Sequence, residues 1–484
     1  MHARTAIPQM IVAALAATYL TGCGGSSAAT PPPSTPATAP PRGSATTSDC
    51  PLVAAPANRM SAPPAGLIAF KIYQPGEAPF PSEVFADPSV SGVDIFMQWS
   101  QLEPESGVFN WSVLDCVFAQ ADDHNKFVAL TLSPGFTTPA WVLELPGVQT
   151  QSFAFEYFNN NAPARPLPLP WNQPYLQAWF TSLKAVAERY GTNPEFRLIA
   201  VGGPTSVSTE MSLPDRTSGD TALPASANGS DIAEWQTLGY TPSRYASAWK
   251  EAFSNYRQIF PNQFLGLALY PGLPIGENGQ PDPSQKIATE LDVIAAGLQY
   301  KEVFALGEAG IRGGVPPPSD PAYNAVMAKC GSIVTGFQNS RSATVDPTDQ
   351  GPLNLALGHV AAAGASFWEV YVQDVLNPSM QSATTTAAAQ LPADEGCKPL
   401  VVTIASRTAT SVTVTAVTDL RLDPAESINI YLGTTLLRTC STSTCSVSVP
   451  LSSSSPIYAA DVGAPGTAPD NTQALVSATT TVTP

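Results

Sequence analysis

Phe127-Val128-Ala129-Leu130-Thr131-Leu132-Ser133, then Tyr175-Leu176-Gln177-Ala178-Trp179-Phe180-Thr181-Ser182-Leu183-Lys184-Ala185-Val186-Ala187-Glu188-Arg189-Tyr190, then Phe196-Arg197-Leu198-Ile199-Ala200-Val201-Gly202 are the runs that decide the fold. The middle run sets Leu176, Trp179, Phe180, Leu183, Val186 and Tyr190 on one helical stripe, and Gly191 stops it. The flanking runs are short, apolar and of strand length. The same alternation extends in both directions. Strand candidates lie at 66–74, 93–100, 127–133, 196–202, 264–270, 303–307, 332–338 and 365–373. Helix-patterned segments lie between them at 113–125, 175–190, 242–260, 284–300, 322–329 and 353–363. Eight strands alternating with helices predict an α/β fold, a (β/α)8 TIM barrel, within a domain spanning 49–396. The rival, an open doubly wound sheet, usually carries a glycine-rich phosphate turn after its first strand. Tyr73-Gln74-Pro75-Gly76-Glu77 offers none.

Beyond the barrel the pattern changes. Val, Thr and Ser alternate at 411–417, 428–432 and 445–450, and no helix-period stretch appears. Residues 397–484 therefore read as a small all-β sandwich. The run around Cys440 and Cys445 resembles bacterial immunoglobulin-like repeats.

The chain of 484 residues has 22 basic against 38 acidic groups, a net charge of −16, and only 12% charged residues. That balance excludes a phosphate-backbone partner, so no nucleic acid is expected. Three histidines and the lack of any Cys-x-x-Cys argue against a metal centre or a Ser-His-Asp triad, and no cofactor is expected. Oligomeric state is left open.

Residues 1–22 read as an export signal with a short apolar core, too short for a retained span. They end in Leu20-Thr21-Gly22-Cys23, which resembles a bacterial lipobox. That resemblance implies acylation of Cys23 and attachment to the cell envelope. Gly24 after the Cys implies the outer membrane. Residues 23–48, rich in Pro, Ser, Thr and Ala, read as a semi-extended tether. Export places the six other cysteines in an oxidising compartment. Cys440 and Cys445 could close a hairpin ring, Cys50 could reach Cys116, and Cys330 could reach Cys397, among other pairings.

The chemistry-bearing motifs follow the strands. Trp99-Ser100-Gln101-Leu102-Glu103-Pro104 continues to Gly107-Val108-Phe109-Asn110-Trp111 and Leu114-Asp115. It resembles the second strand-loop of (β/α)8-barrel glycoside hydrolases of the β-galactosidase and cellulase superfamily. Ser133-Pro134-Gly135 with Thr138-Pro139-Ala140-Trp141 is similar to that superfamily's third strand-loop. The resemblance covers about 66–375. It implies a carbohydrate substrate and two carboxyl groups facing one glycosidic bond. It places the acid after strand four and the nucleophile at the end of strand seven.

After strand four, Gly202-Gly203-Pro204-Thr205-Ser206-Val207-Ser208-Thr209-Glu210 contains one acid before Pro214, and Glu210 is the candidate general acid. Similar Gly-Pro…Glu segments occur in β-amylases and some β-galactosidases. The bland alternative is a solvated loop glutamate. Strand seven departs from the family, because Gln338 stands where a nucleophilic Glu is expected. Strand eight, Phe367-Trp368-Glu369-Val370-Tyr371, supplies Glu369 as the second catalytic candidate, with Tyr371 on its parity. Strands four and eight lie opposite each other in an eight-strand ring, so Glu210 and Glu369 could flank a sugar. The rival role for Glu369 is an ion pair with an inward Lys71. Glu308, at the end of strand six, is a third catalytic candidate. Asp94 and Gln98 share parity on strand two and could bond sugar hydroxyls. Trp99, Trp141, Trp171, Trp235 and Trp368 fall at strand ends and loops, where indoles stack on sugar C–H faces. Trp179 and Trp249 fit the core. The activity expected is hydrolysis of an oligo- or polysaccharide, and the alternative is a non-catalytic barrel that binds one.

Overall fold

In a computed structural model of the chain, the described residues are 62–154, 164–216, 230–300, 304–312, 333–362 and 365–391. Towards the C-terminus they are 401–417, 427–432, 435–441, 444–450, 457–462 and 473–476. The signal segment 1–22, the tether 23–48 with Cys23, and the helix expected at 322–329 lie outside them.

Eight parallel strands close into a barrel in sequence order. They are β1 (Gly66–Ile72), β2 (Val90–Gln98), β3 (Phe127–Ser133), β4 (Phe196–Ala200), β5 (Phe264–Ala268), β6 (Phe304–Ile311), β7 (Val334–Asn339) and β8 (Phe367–Tyr371). β8 pairs with β1, with Glu369 opposite Ile68 and Tyr371 opposite Phe70, so no edge remains among the eight. The outer helices include α1 (Ser112–His124), α2 (Gln173–Tyr190), α3 (Pro242–Ile259), α4 (Gln285–Gly297) and α5 (Leu353–Ala362). α2 begins where the Asn172 side chain accepts the Tyr175 N–H and Pro174 occupies the first turn. α3 starts the same way, with Thr241 capping Arg244 before Pro242.

Strand parity divides the core in two. Leu67, Ala69, Val93, Ile95, Val128, Leu130, Ile199, Leu265, Trp368 and Val370 face the helices. Ile68, Phe127, Ala129, Leu198, Phe264 and Phe367 fill the barrel interior and form a solid floor. A hairpin that the sequence reading did not anticipate, Thr150–Ala154 with Ala164–Pro168, interrupts the connection from β3 to α2.

Downstream, β9 (Val401–Arg407), β10 (Ser411–Val417), β11 (Ser427–Leu432), β12 (Thr435–Cys440), β13 (Thr444–Pro450), β14 (Ile457–Val462) and β15 (Gln473–Val476) are antiparallel. They form a three-stranded sheet, β9-β10-β13, and a four-stranded one, β12-β11-β14-β15. Alternate residues Val412, Val414 and Ala416 are buried, which is the period-two signature of a half-buried sheet. Cys440 and Cys445 form a disulfide, Cα–Cα 5.4 Å, across the turn between β12 and β13. Cys116 is also disulfide-bonded. Cys50, Cys330 and Cys397 lie outside the described residues.

Candidate active site

Above the apolar floor, at the carboxyl ends of the strands, lies a cavity of about 80 Å³. It is small beside the roughly 300–1,000 Å³ of pockets that enclose whole drug-sized ligands. Its enclosed part takes a functional group rather than a whole sugar ring. Phe70, Phe96 and Tyr371 wall one side, with edge-to-face contacts of 6.5 Å (Phe70–Phe96) and 5.2 Å (Phe70–Tyr371) between ring centroids. Three carboxyl groups also line the cavity. They belong to Asp94, Glu210 and Glu369, whose side chains are 3%, 5% and 8% exposed.

Each carboxyl arrives by a different route. Glu369 sits on β8 in register with Gln338 on β7, and Gln338 Nε2 donates to its Oε2 at 3.1 Å. Burial and the neighbouring Asp94 carboxyl push Glu369 well above the usual carboxylate range, and the Gln338 bond opposes them. Asp94 sits on β2 in register with Phe70. Thr131 Oγ1 donates to its Oδ2 at 3.0 Å, while its Oδ1 is buried with no hydrogen-bond partner. Burial raises Asp94 to about 7, against the lowering effect of Thr131. Glu210 is raised to about 7 by burial.

The chain leaves β4 and carries Glu210 across to the end of β5, where it bridges to Ala268. Glu210 therefore faces the mouth from above β5, opposite β1, while Asp94 and Glu369 flank β1 on the other side. A dense set of bonds fixes this loop. Ser208 sits in the left-handed region at φ 55°, and its N–H donates to Ser133 Oγ at 2.9 Å. Its own Oγ accepts the Glu210 N–H at 3.1 Å. Thr205 Oγ1 donates to the Glu210 carbonyl, Tyr245 OH to Met211 O at 2.7 Å, and Trp235 Nε1 to Pro214 O at 2.8 Å. Phe136 N–H donates to Ser206 O at 2.7 Å. That approach requires Gly135, where a Cβ would lie 2.1 Å from the same oxygen.

The structure brings together Asp94, Glu210, Gln338, Glu369 and Tyr371 of the sequence candidates. The Glu308 side chain lies outside the described residues; its backbone pairs with Phe337. Several expectations need correction. Lys71 does not face inward. Ile68, Phe70 and Ile72 take the inner parity of β1, and the Lys71 ammonium reaches Ala78 O at 2.9 Å and Glu77 at 3.1 Å. Glu369 therefore has no ion pair with it. Gln98 is absent from the cavity lining; its backbone N–H donates to Gln101 Oε1 at 3.0 Å, closing the turn that follows β2.

The tryptophans belong to the outer layer rather than to a sugar cleft. Trp99 is fully buried, and its Nε1 donates to Glu103 at 3.1 Å and to Ser182 at 3.0 Å. Trp141 packs on Trp99 and donates to the Glu103 carbonyl at 3.2 Å. Trp368 takes the outward parity of β8 and donates to Asn339 at 2.8 Å. Trp235 stacks on Phe153, and Trp171 lies under the Arg244 guanidinium at 4.6 Å. Trp179 and Trp249 are buried, as the helix stripes require. Glu103 itself is a scaffold residue, because its other oxygen receives the Gly107 N–H at 2.9 Å. The lining residues missed from sequence are Phe70, Phe96, Thr131 and Ser208. Parity signals Thr131, an inward polar residue on an otherwise apolar strand; nothing local signals Ser208.

Residues 83–207 match the family model Glyco_hydro_42, described as beta-galactosidase. The matched segment runs from before β2 through β4 and ends just ahead of Glu210. No curated protein matches the chain. Among solved structures, endo-glycoceramidase II from Rhodococcus sp., in an iminocyclitol complex, aligns at 14% identity over 73% of this chain and 84% of that one, TM-score 0.37. A β-galactosidase from the psychrophilic Marinomonas ef1 aligns at 11% identity over 68% and 61%, TM-score 0.39. A GH5_18 variant from Bifidobacterium longum in complex with Manβ1-4GlcNAc aligns at 12% identity over 69% and 81%, TM-score 0.40. Over residues 83–207, on strands β2 to β4 of its closed barrel, the chain is thus similar to glycoside hydrolases of the β-galactosidase type.

Proposed function

We propose that the protein is a glycoside hydrolase acting on an oligo- or polysaccharide at the barrel mouth. The observation that carries the reading is the placement of Glu210 and Glu369 on opposite sides of one cavity. Glycosidic hydrolysis needs one carboxyl to protonate the leaving oxygen and another to attack the anomeric carbon or activate water. Glu210, held near 7 by burial, retains a proton near neutral pH and suits the acid role. Glu369 takes the second role once it ionises, and Gln338 donates to the carboxylate so formed. Asp94, held by Thr131, and Tyr371 line the same cavity, which takes a substituent of the sugar seated at the mouth. Glu308, on β6, stands in reserve as a catalytic acid.

In the same reading residues 1–22 direct export, and Cys23 carries lipid that holds the protein at the bacterial outer membrane. Residues 23–48 act as a tether, and 397–484 form an immunoglobulin-like module. A second reading, a carbohydrate-binding barrel without turnover, is favoured by Gln338 standing in the strand-seven position.

The test is to assay the purified full-length chain against a panel of polysaccharides and aryl glycosides, recording both binding and release of reducing ends. Turnover that disappears in Glu210→Gln and in Glu369→Gln supports the first reading. Binding without release supports the second. Neither binding nor release on any substrate removes both.

A further inference from the structure

Two carboxyl groups suffice to hydrolyse a glycosidic bond, yet three line this cavity. The third, Asp94, is 3% exposed, and its Oδ1 has no hydrogen-bond partner among the described residues. Among the described residues no Lys, Arg or His lines the cavity. Arg341, whose charge is felt at Tyr371, is ion-paired with Asp346 at 2.7 Å. A buried carboxyl without a partner is costly to the fold, and such groups ordinarily find a donor or a counter-charge. No group of three metal-ligating side chains capable of holding a metal ion occurs among the described residues. The missing partner is then a group that enters with the ligand.

We propose that the cavity receives a protonated amine borne by the sugar, so that the substrate contains an amino-sugar unit with a free ammonium group, and that Asp94 is the residue that recognises it. The inference rests on the glycoside hydrolase reading and narrows its substrate class. An ammonium has three N–H donors and a compact charge. It fits a cavity of about 80 Å³, which admits one substituent of a sugar more readily than its whole ring. One donor meets Asp94 Oδ1 and a second faces the neighbouring Glu369, which leaves Glu210 to the glycosidic oxygen. A neutral hydroxyl supplies one donor and no charge.

The ammonium also prepares the chemistry. Burial and mutual repulsion favour the protonated forms of Asp94 and Glu369. A cation between them favours the ionised forms, so the arriving substrate converts Glu369 into a group able to attack carbon or take a proton from water. An N-acetylated or neutral sugar lacks this effect.

The test is calorimetric titration of the full-length protein with the tetrasaccharide of β-1,4-linked glucosamine, its fully N-acetylated form, and cellotetraose. Working at 0.5 M salt screens diffuse attraction to a chain of net charge −16. The glucosamine oligomer is expected to bind at least tenfold more tightly than either neutral one. Asp94→Asn, isosteric with the parent, should erase that preference, so that the variant binds the glucosamine oligomer no more tightly than its N-acetylated form. The wild-type comparison stands even where the variant fails to fold. Neutral oligomers bound or cleaved as well as the amine would overturn the inference and leave the hydrolase reading intact. Failure of every saccharide in the wider panel as well would remove both.

Discussion

Replacing Glu210 with Gln offers a sharp test of how the mouth is built. Burial lifts the Glu210 carboxyl from its ordinary 4.5 to about 7. At about 1.4 kcal/mol per tenfold change in proton affinity, that difference is about 3 kcal/mol. The side chain is only 5% exposed, so little of this is lost to solvent screening. The folded protein holds the proton more tightly than the unfolded chain. Below about pH 4 both states are protonated and the burial carries no charge penalty. As pH rises towards and through 7 the unfolded chain releases its proton first, and the folded state loses up to about 3 kcal/mol of stability. Gln mimics the protonated form at every pH. Glu210→Gln should therefore match the wild type at pH 4 and exceed it by about 3 kcal/mol at pH 8.5, while losing all sugar release. Urea unfolding at the two pH values, followed by tryptophan fluorescence, measures the difference. Equal stability of the two proteins at pH 8.5 would show Glu210 to be a solvated loop residue and would refute the argument from burial.

Other perturbations separate scaffold from site. Gly135→Ala places a Cβ 2.1 Å from Ser206 O at a φ of +68°, and should cost upwards of about 2 kcal/mol and most activity. Wild-type stability in denaturant titration would contradict the tight approach of the two loops. Glu103→Gln weakens bonds from Trp99, Ser182 and the Gly107 N–H, and should lower stability by about 2 kcal/mol. The KM of the folded fraction should stay unchanged; a rise in KM would put Glu103 in the sugar's path. Lys71→Met should leave kcat/KM within twofold and stability within about 0.5 kcal/mol, because its ion pair with Glu77 lies at the surface. A larger loss of activity would return Lys71 to the mouth.

The barrel was legible because eight apolar runs recur with helical stripes between most of them, and closure follows from their number. Ends of strands were harder. The last run extends in sequence to residue 373, but the strand stops at Tyr371, because Val372–Val375 turns into a helix. Side-chain direction followed parity, not polarity. Lys71 is polar yet alternates with the inward Phe70 and Ile72, and its long stem carries the ammonium out to the surface. The tryptophans misled for a related reason. Helix-facing and mouth-facing positions alternate at a strand end, and a large aromatic suits either. Trp99 continues the outward series of Val93, Ile95 and Met97, and Trp368 stands between the inward Phe367 and Glu369. The crossing of Glu210 to β5 depends on contacts among Ser133, Gly135, Ser206 and Ser208, which no local pattern records.

The site works through what surrounds it more than through charge pairing. Its floor is Ile68, Leu198, Phe264 and Phe367, and its walls include Phe70 and Phe96. Such surroundings raise every carboxyl they touch. Among the described residues no basic side chain lines the cavity, and the donors that favour the ionised forms are Gln338 to Glu369 and Thr131 to Asp94. A barrel that kept Glu at position 338 would set two like charges side by side on β7 and β8. With Gln there, the amide acts as a donor to Glu369 instead, and the strand-seven departure from the family pattern becomes intelligible. In the proposed function Glu369 supplies the second carboxylate one strand beyond the position the resemblance implies, and Gln338 gives the hydrogen bond that favours its ionised form.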